Sequence, residues 1–275
     1  MMISRRNVLA GLLASTAAGC SSGRAPLAPY PYPNQYPIAP PPPDRASLGL
    51  DAVIDISRGV TVSDFRLVRQ SGILAVVHKA SEGGDYADTA CAQRRPQAEA
   101  AGLLWGTYHF GTGQFPGAQQ ASFFLSVSRP GPKTLLALDL EANENNPSNS
   151  MSLQQAEDFV RAVAEATGRL PVVYVHPIWA NGDPLPGSGL SFGAQITPDS
   201  ILARCGLWVA DYHDSPEVPL AWESRGWRLW QYAGDESAGR PAYGQTSIVR
   251  GVSHCDRSLF NGDATALERF WRAAD

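Results

Sequence analysis

The sequence predicts an α/β fold, a TIM-like β/α barrel that is flattened and has fewer helices than strands. From Leu48 onward, short apolar runs rich in β-branched residues alternate with longer amphipathic stretches, which is typical of βα units around a parallel sheet. Polar and aromatic residues gather at the carboxyl ends of these runs, the end at which β/α barrels carry their active sites. The later connections are short and weakly helical, so we expect some helices to be missing.

Eight runs have the length and composition of strands, the number that closes a β/α barrel. The predicted strands are Asp51 to Ile56, Ile73 to Lys79, Leu103 to Phe110, Thr134 to Glu141, Pro171 to Val175, Leu207 to Tyr212, Arg228 to Tyr232 and Ile248 to Asp256.

Three of the stretches between these runs predict helices, at Asp88 to Ala101, Gly117 to Val127 and Ser152 to Thr167. The last opens with Ser152, a residue type that caps helix amino ends because its hydroxyl accepts a free backbone N–H.

The first 19 residues have the features of an export signal. Arg5 and Arg6 precede a short apolar stretch, and small residues then lead to Cys20. The arginine pair is similar to a twin-arginine signal, and small residues before a cysteine are similar to a lipoprotein cleavage site, which predicts lipidation of Cys20. The alternative is an ordinary signal peptide with an incidental cysteine, since Ala17 stands where lipoproteins usually carry Leu.

A proline-rich tether is predicted over residues 20–47, because proline favours extended polyproline II and makes a semi-rigid spacer. The expected organisation is a signal peptide at 1–19, this tether at 20–47 and one barrel domain at 48–275. The protein is then exported to the cell envelope, held to a membrane by a lipid anchor and facing the periplasm or the outside.

Composition excludes several classes of function. Hydrophobic residues make up 44% and charged residues 17%, as in globular proteins. The net charge is −4 and the basic residues are scattered, which argues against a nucleic-acid partner. No spacing of Cys and His suggests a metal site, and no cofactor is expected. Cys91, Cys205 and Cys255 leave an odd number of cysteines after Cys20, and their pairing stays open.

The fourth predicted strand carries two carboxylates on one face. Side chains alternate with a period of two along a strand, so Asp139 and Glu141 point into the barrel while Leu138 and Leu140 point towards the helices. Their Cα atoms would lie about 6.6 Å apart at about 3.3 Å per residue. The alternative is a strand end that frays into a solvated acidic loop.

Further polar residues end the other strands. Asp55 ends the first and Asp256 the eighth, and these strands become neighbours when a barrel closes. Asp211 lies one position off the inward set and is interpreted as a solvated loop acid, and His109 as a packing residue. The remaining polar side chains at strand ends are Lys79, Tyr108, Tyr174, Tyr212 and Gln231.

A set of short motifs follows one order from Val53 to Gly262. They are Ile54-Asp55-Ile56-Ser57, Lys79-Ala80-Ser81-Glu82-Gly83, Tyr86-Ala87-Asp88, Ala101-Gly102-Leu103, Gly106-Thr107-Tyr108-His109-Phe110, Leu138-Asp139-Leu140-Glu141, Leu207-Trp208-Val209-Ala210-Asp211-Tyr212, Trp230-Gln231-Tyr232 and Cys255-Asp256-Arg257 with Phe260-Asn261-Gly262. In this ordered set the chain resembles the family 25 glycoside hydrolases, lysozymes of the N,O-diacetylmuramidase type.

The resemblance implies a barrel with fewer helices than strands that hydrolyses the bond from N-acetylmuramic acid to N-acetylglucosamine in peptidoglycan. It assigns the catalytic carboxylates to Asp55, Asp139, Glu141 and Asp256, and substrate binding to Lys79, Tyr108, Tyr174, Gln231 and Tyr212. Two departures stand out. The family's Trp-Gln shortly after its first Asp is absent, since the Ser57-Arg58-Gly59 region is shortened, and the segment Pro177 to Ser200 is longer than usual.

Glycosidic cleavage needs a proton on the leaving oxygen and stabilisation of an oxocarbenium-like centre. Glu141 is expected to be the acid, because surrounding carboxylates raise the pKa of a carboxyl group. Asp139 is either a nucleophile or, as we favour, the group that orients the 2-acetamido group of the substrate for attack.

Two other functions remain open at this point. One is a non-catalytic, lipid-tethered barrel that binds cell-wall glycan, and the other is a hydrolase for another acetamido-sugar polymer.

Overall fold

The computed structural model describes residues 48–234 and 249–273. The predicted signal peptide, Cys20 and the tether lie outside the described residues, as does Ile248. Among the helices of the described ranges, none is both long enough and apolar enough to cross a membrane.

One sheet of nine strands closes on itself through pairing of its first two barrel strands, β1 and β2. The strands are β1 (Leu50–Ile56), β2 (Ala75–Glu82), β3 (Tyr86–Ala87), β4 (Leu104–Phe110), β5 (Leu135–Asp139), β6 (Val172–Val175), β7 (Leu207–Ala210), β8 (Leu229–Ala233) and β9 (Asp256–Phe260). β3 is a short antiparallel extension of β2, so the barrel itself has eight strands.

Seven helices belong to the described residues. They are α1 (Phe65–Gln70), α2 (Thr89–Ala100), α3 (Gly117–Ser128), α4 (Leu153–Thr167), α5 (Pro177–Asn181), α6 (Ile201–Arg204) and α7 (Ala264–Ala273). α5 and α6 are single short turns, which confirms a barrel with fewer helices than strands. The predicted cap of α4 is also present, since the Ser152 side chain accepts the Gln155 N–H in a capping box.

The prediction for the last strand was wrong. The sequence placed it at Ile248 to Asp256, but β9 begins at Asp256 and pairs antiparallel with β1 and β8. The described part of the preceding connection stays at the carboxyl end of the barrel, where Val252 pairs with Val62 of the loop after β1. The chain therefore enters β9 from that end and runs back down.

Alternation along the strands separates two cores. Side chains on the outer face, such as Leu136 and Leu138, pack under the helices, whereas Leu135 and Ala137 belong to a cluster inside the barrel. We call the carboxyl ends of the parallel strands the mouth and their amino ends the bottom. The inner positions nearest the mouth are polar, so the mouth is where chemistry can occur.

α7 closes the bottom of the barrel. Leu267, Phe270 and Trp271 belong to the inner cluster, and the Trp271 indole Nε1 donates to the Trp105 carbonyl at 2.8 Å. Gly106 makes this possible, because a Cβ there would lie 3.0 Å from the Trp271 ring. The barrel is therefore filled from below and open only at the mouth.

Candidate active site

Asp55 and Asp256 form one wall of the mouth. They are directly opposite each other in the register of β1 and β9, and inner-facing Val53 and Phe260 show that both carboxylates belong to the inner side. Asp55 is 1% exposed and Asp256 is partly buried. The reversed direction of β9 does not remove Asp256 from the mouth, since the first residue of an antiparallel strand lies at the same end as the last residues of its neighbours.

Asp139 and Glu141 lie on the wall formed by β5. Asp139 is the last residue of β5 and is buried, and the Leu140 N–H continues the ladder by donating to the Tyr174 carbonyl at 2.9 Å. Glu141 follows beyond the strand and is partly exposed, so β5 ends two residues earlier than the sequence predicted. Leu140 packs in the outer core, which is the alternation that the sequence indicated.

A chain of hydrogen bonds joins the other end residues to Asp55. The Gln231 Nε2 donates to Asp55 Oδ2 at 2.8 Å. The hydroxyls of Tyr174 and Tyr212 donate to Gln231 Oε1 at 2.8 and 3.0 Å. These bonds fix the orientation of the amide, so Gln231 presents a donor to Asp55 and holds that carboxylate in place.

Lys79 lies on β2, the strand between β1 and β4, and its side chain is on the inner side of the mouth. It is 6% exposed, and its Nζ contacts Glu82 Oε2 at 2.5 Å. The same Nζ lies 5.4 Å from the ring centre of Tyr86 and 5.1 Å from that of Phe110. Tyr108, opposite Lys79 in the register of β2 and β4, packs in the inner cluster.

Behind this wall lies a buried network around His109. Its Nδ1 is 2.8 Å from the Ser81 hydroxyl and its Nε2 is 3.1 Å from Gln120 Oε1. Because Gln120 Oε1 accepts and both amide protons go to the carbonyls of Thr112 and Phe115, His109 donates from Nε2 and accepts at Nδ1. Burial lowers the pKa of His109 to about 3, so it is a neutral packing residue, as the sequence suggested.

The interpretation of Asp211 as a solvated loop acid was wrong. Asp211 is 2% exposed, and its Oδ2 accepts the Glu217 N–H at 2.8 Å. Its Oδ1 contacts His213 Nδ1 at 2.5 Å, while the His213 side chain is 68% exposed. The loop after β7 folds back over the strand end, which buries the carboxylate and satisfies it with local N–H donors.

The cysteines of the described residues, Cys91, Cys205 and Cys255, are all buried. Burial raises the pKa of both Cys91 and Cys205 to about 12, which keeps them as unreactive thiols. Within residues 48–234 and 249–273, no group of three or more His, Cys, Asp or Glu side chains could hold a metal ion.

Sequence reasoning missed two residues that support the mouth. Gln120 of α3 ties the loop after β4 to His109, and Arg94 of α2 donates to the carbonyls of Ser57 and Val60 in the loop after β1. Both bond to backbone atoms of loops, which carry no side-chain signal in the sequence, so no motif marks them. The only signal was a polar residue on an inward face of a helix.

Comparison with known proteins places the chain among glycosidases. The model of the family described as Glycosyl hydrolases family 25 matches residues 54–239, a range that includes Asp55, Asp139 and Glu141. Lysozyme M1 of Streptomyces globisporus is 29% identical over 229 residues, covering 78% of this chain and 69% of that protein.

Solved structures show the same architecture. A bacterial lysozyme from Streptomyces coelicolor is 28% identical with a TM-score of 0.65, covering 82% of this chain and 97% of that one. A muramidase from Acremonium alcalophilum is 29% identical with a TM-score of 0.63, covering 81% and 98% respectively.

Proposed function

The chain belongs to family 25 of the glycosyl hydrolases, and from this membership we propose that it is a muramidase that cleaves the β-1,4 bond from N-acetylmuramic acid to N-acetylglucosamine. It is a glycosidase of the lysozyme type, and its relatives support peptidoglycan as the substrate. The observation that supports the residue assignment is the placement of four carboxylates, Asp55, Asp139, Glu141 and Asp256, on the inner side of one barrel mouth.

Glu141 is proposed as the proton donor. It lies beyond the last residue of β5 and is partly exposed, so a glycan strand in the mouth can reach it, whereas Asp139 is buried. In this proposal Glu141 is the protonated member of the four carboxyl groups. Glu141 then gives its proton to the glycosidic oxygen as the bond from that oxygen to C1 breaks.

Asp139 is proposed to orient the 2-acetamido group of the substrate. The carbonyl oxygen of that group attacks C1 and forms a cyclic oxazolinium intermediate, while Asp139 accepts the amide N–H. Water then adds to C1 as the bond from C1 to the acetamido oxygen breaks and the acetamido group is restored, and the water gives a proton to Glu141. The products are a reducing N-acetylmuramic acid and a free hydroxyl on N-acetylglucosamine. Direct attack by Asp139 is the alternative.

Asp55 and Asp256 are proposed to hold the reacting ring and the water. Asp55 is fixed by the Gln231 amide, and Asp256 faces it across the register of β1 and β9. Lys79, Tyr108, Tyr174, Gln231 and Tyr212 are proposed to line the rest of the substrate site, with Gln231 and the two tyrosines Tyr174 and Tyr212 also holding Asp55.

We also propose that the enzyme acts at the cell envelope. We propose a signal peptide at residues 1–19, a tether at 20–47 lipidated at Cys20, and a catalytic domain at 48–275, which places an exported enzyme on a membrane next to its substrate.

The catalytic assignment is tested with Glu141→Gln and Asp139→Asn on purified sacculi, with release of reducing ends as the readout. Each variant should lose at least about 100-fold in kcat, the usual contribution of a general acid or a positioned carboxylate. Glu165→Gln, which removes an exposed charge from α4, should retain wild-type activity. Near-normal activity of either mouth variant would overturn its assignment.

The product and the mechanism are tested by mass spectrometry of the released fragments. A muramidase leaves reducing N-acetylmuramic acid, and a glucosaminidase leaves reducing N-acetylglucosamine. If the acetamido group is the nucleophile, peptidoglycan with N-deacetylated muramic acid should resist cleavage. Efficient cleavage of that substrate would favour Asp139 as the nucleophile instead.

A further inference from the structure

The rim of the mouth beside β1 carries an exposed arginine. Arg58 lies three residues after Asp55, and its guanidinium carbon lies 5.6 Å from the ring centre of Tyr86. This distance is within the range of a cation–π interaction, which holds an arginine flat against an aromatic face. The guanidinium is therefore positioned without being buried.

The two cations near Tyr86 differ in their partners. Lys79 is buried, and its charge is neutralised by Glu82. Arg58 is exposed, and within the described part of the chain no carboxylate forms an ion pair with it. Its fork of N–H donors is thus available to a ligand at the rim.

The backbone that carries Arg58 is fixed on both sides. The Arg58 N–H donates to Asp88 Oδ2 at 2.8 Å. Arg94 donates to the Ser57 carbonyl at 2.9 Å and to the Val60 carbonyl at 2.6 Å. Because this loop is already held in place, a ligand that binds Arg58 pays only a small entropy cost for ordering the loop, which favours binding.

The negative charge of the mouth makes a cation at its rim favourable for binding an anionic glycan. The chain has a net charge of −4, and four carboxylates lie in the mouth. The three that stay ionised in the proposed mechanism, Asp55, Asp139 and Asp256, repel a glycan that itself carries carboxylates, as peptidoglycan does on the lactyl group of muramic acid or on the peptide stems that amidate it. A neutral glycan such as chitin meets no such repulsion.

We propose that Arg58, held on Tyr86, binds a carboxylate of the substrate and makes the enzyme select anionic glycan strands over neutral ones. The planar guanidinium matches a carboxylate with two parallel N–H···O bonds. This proposal rests on the proposed muramidase function, and it deepens that function by naming the group that is recognised beside the reacting sugars.

The test compares full-length wild type and Arg58→Ala on three substrates. Intact sacculi carry carboxylates on their stems, and amidase-treated sacculi carry them on the lactyl groups. The third substrate is amidase-treated glycan whose lactyl carboxylates have been converted to methyl amides, which makes it neutral. Arg204→Ala is the matched control, because Arg204 is an exposed arginine at the end of α6, at the bottom of the barrel.

We expect Arg58→Ala to raise KM about tenfold on the carboxylate-bearing substrate, the effect of losing a charge-assisted hydrogen bond, with kcat little changed. A rise confined to intact sacculi identifies the stems, and a rise confined to amidase-treated sacculi identifies the lactyl group. Arg58→Lys should fall between wild type and Arg58→Ala, and added salt should weaken the wild-type preference for the anionic substrate. Arg204→Ala should match wild type.

An equal loss on all three substrates, or none on any, would overturn the proposal. An equal loss with a lower melting temperature would mean that Arg58 only stabilises the rim. If wild type releases reducing ends from none of the three substrates, the proposed muramidase function has failed rather than the role of Arg58.

Discussion

Gln231 connects three strand ends through one amide. Its Oε1 accepts the hydroxyls of Tyr174 and Tyr212, and its Nε2 donates to Asp55. A flipped amide would turn its oxygen towards Asp55, and an ionised carboxylate has no proton to donate to it, so the bond to Asp55 favours the observed orientation. Asp55 therefore faces a donor on an amide that also bonds residues on β6 and the loop after β7.

Gln231→Met tests this arrangement, because Met has a similar shape but no amide. We expect kcat on sacculi to fall at least about tenfold as Asp55 loses its donor, and unfolding free energy to fall by about 1–3 kcal/mol as buried groups lose partners. Tyr212→Phe is the control, since it removes one bond to Gln231 and leaves the bond to Asp55. Equal losses of kcat in both variants would show that the bond to Asp55 does not matter.

His109 should make stability depend on pH. Burial lowers its pKa from 6.5 to about 3, so between these values the unfolded chain binds a proton that the folded protein excludes. Its stabilising contribution is complete above pH 6.5 and is lost as the pH falls through this window, by up to about 1.4 kcal/mol per pH unit.

Urea unfolding of wild type and His109→Gln at pH 7, 5.5 and 4 measures this effect. The variant should be less stable at pH 7, and its deficit should shrink towards pH 4 because glutamine does not titrate. A deficit that is the same at all three pH values would contradict a neutral, buried His109.

The helix α7 forms the floor of the barrel, whereas the other long helices pack on the outside of the strands. Its apolar face packs inside the strands, with Leu267 and Trp271 fully buried. The floor and the mouth lie at opposite ends of the strands, and the mouth residues Tyr174, Gln231 and Asp55 hydrogen-bond to one another. Stability and catalysis are therefore separable here.

Trp271→Ala should lower the free energy of unfolding by about 3–5 kcal/mol, because it leaves a cavity in a closed interior. Well below the melting temperature, kcat should stay close to wild type. Arg269→Ala on the exposed face of α7 should change stability by less than about 0.5 kcal/mol. A large fall in kcat of folded Trp271→Ala would show that the floor transmits strain to the mouth.

Strand positions were predictable from the sequence where apolar and polar side chains alternate and the apolar ones are buried. The leucines that alternate with Asp139, namely Leu136, Leu138 and Leu140, are sufficient to identify both faces of β5 from the sequence alone. The direction of β9 was not predictable, because an alternating pattern is the same in both directions. Asp256 was nevertheless placed at the mouth, since the start of a reversed strand lies where the end of a forward strand would.

Contacts with loop backbone limited the prediction of the site. Asp211 looked like a loop acid because no sequence pattern shows that its own loop folds back to donate the Glu217 N–H. Arg94 and Gln120 bond to backbone carbonyls in loops, and a carbonyl carries no sequence signal. Candidate catalytic residues could therefore be proposed from the sequence, whereas the residues that position loops could not.

The proposed lipid anchor at Cys20 would determine where in the cell envelope the whole molecule can act. Cys20→Ser in the full chain should move the protein from the membrane fraction to the soluble fraction. Its activity on purified sacculi should equal that of wild type, since the proposed catalytic residues all lie beyond Leu48. Membrane retention of Cys20→Ser would contradict lipidation at that residue.

The reversal of β9 also places both ends of the described chain at one pole. β1 begins at the bottom, β9 returns there, and α7 packs against that same face. A surface, a fused domain or an affinity support joined directly to the domain at Leu48 or Ala273 would therefore attach opposite the mouth. A domain immobilised in this way at either point would leave its mouth accessible to large substrates.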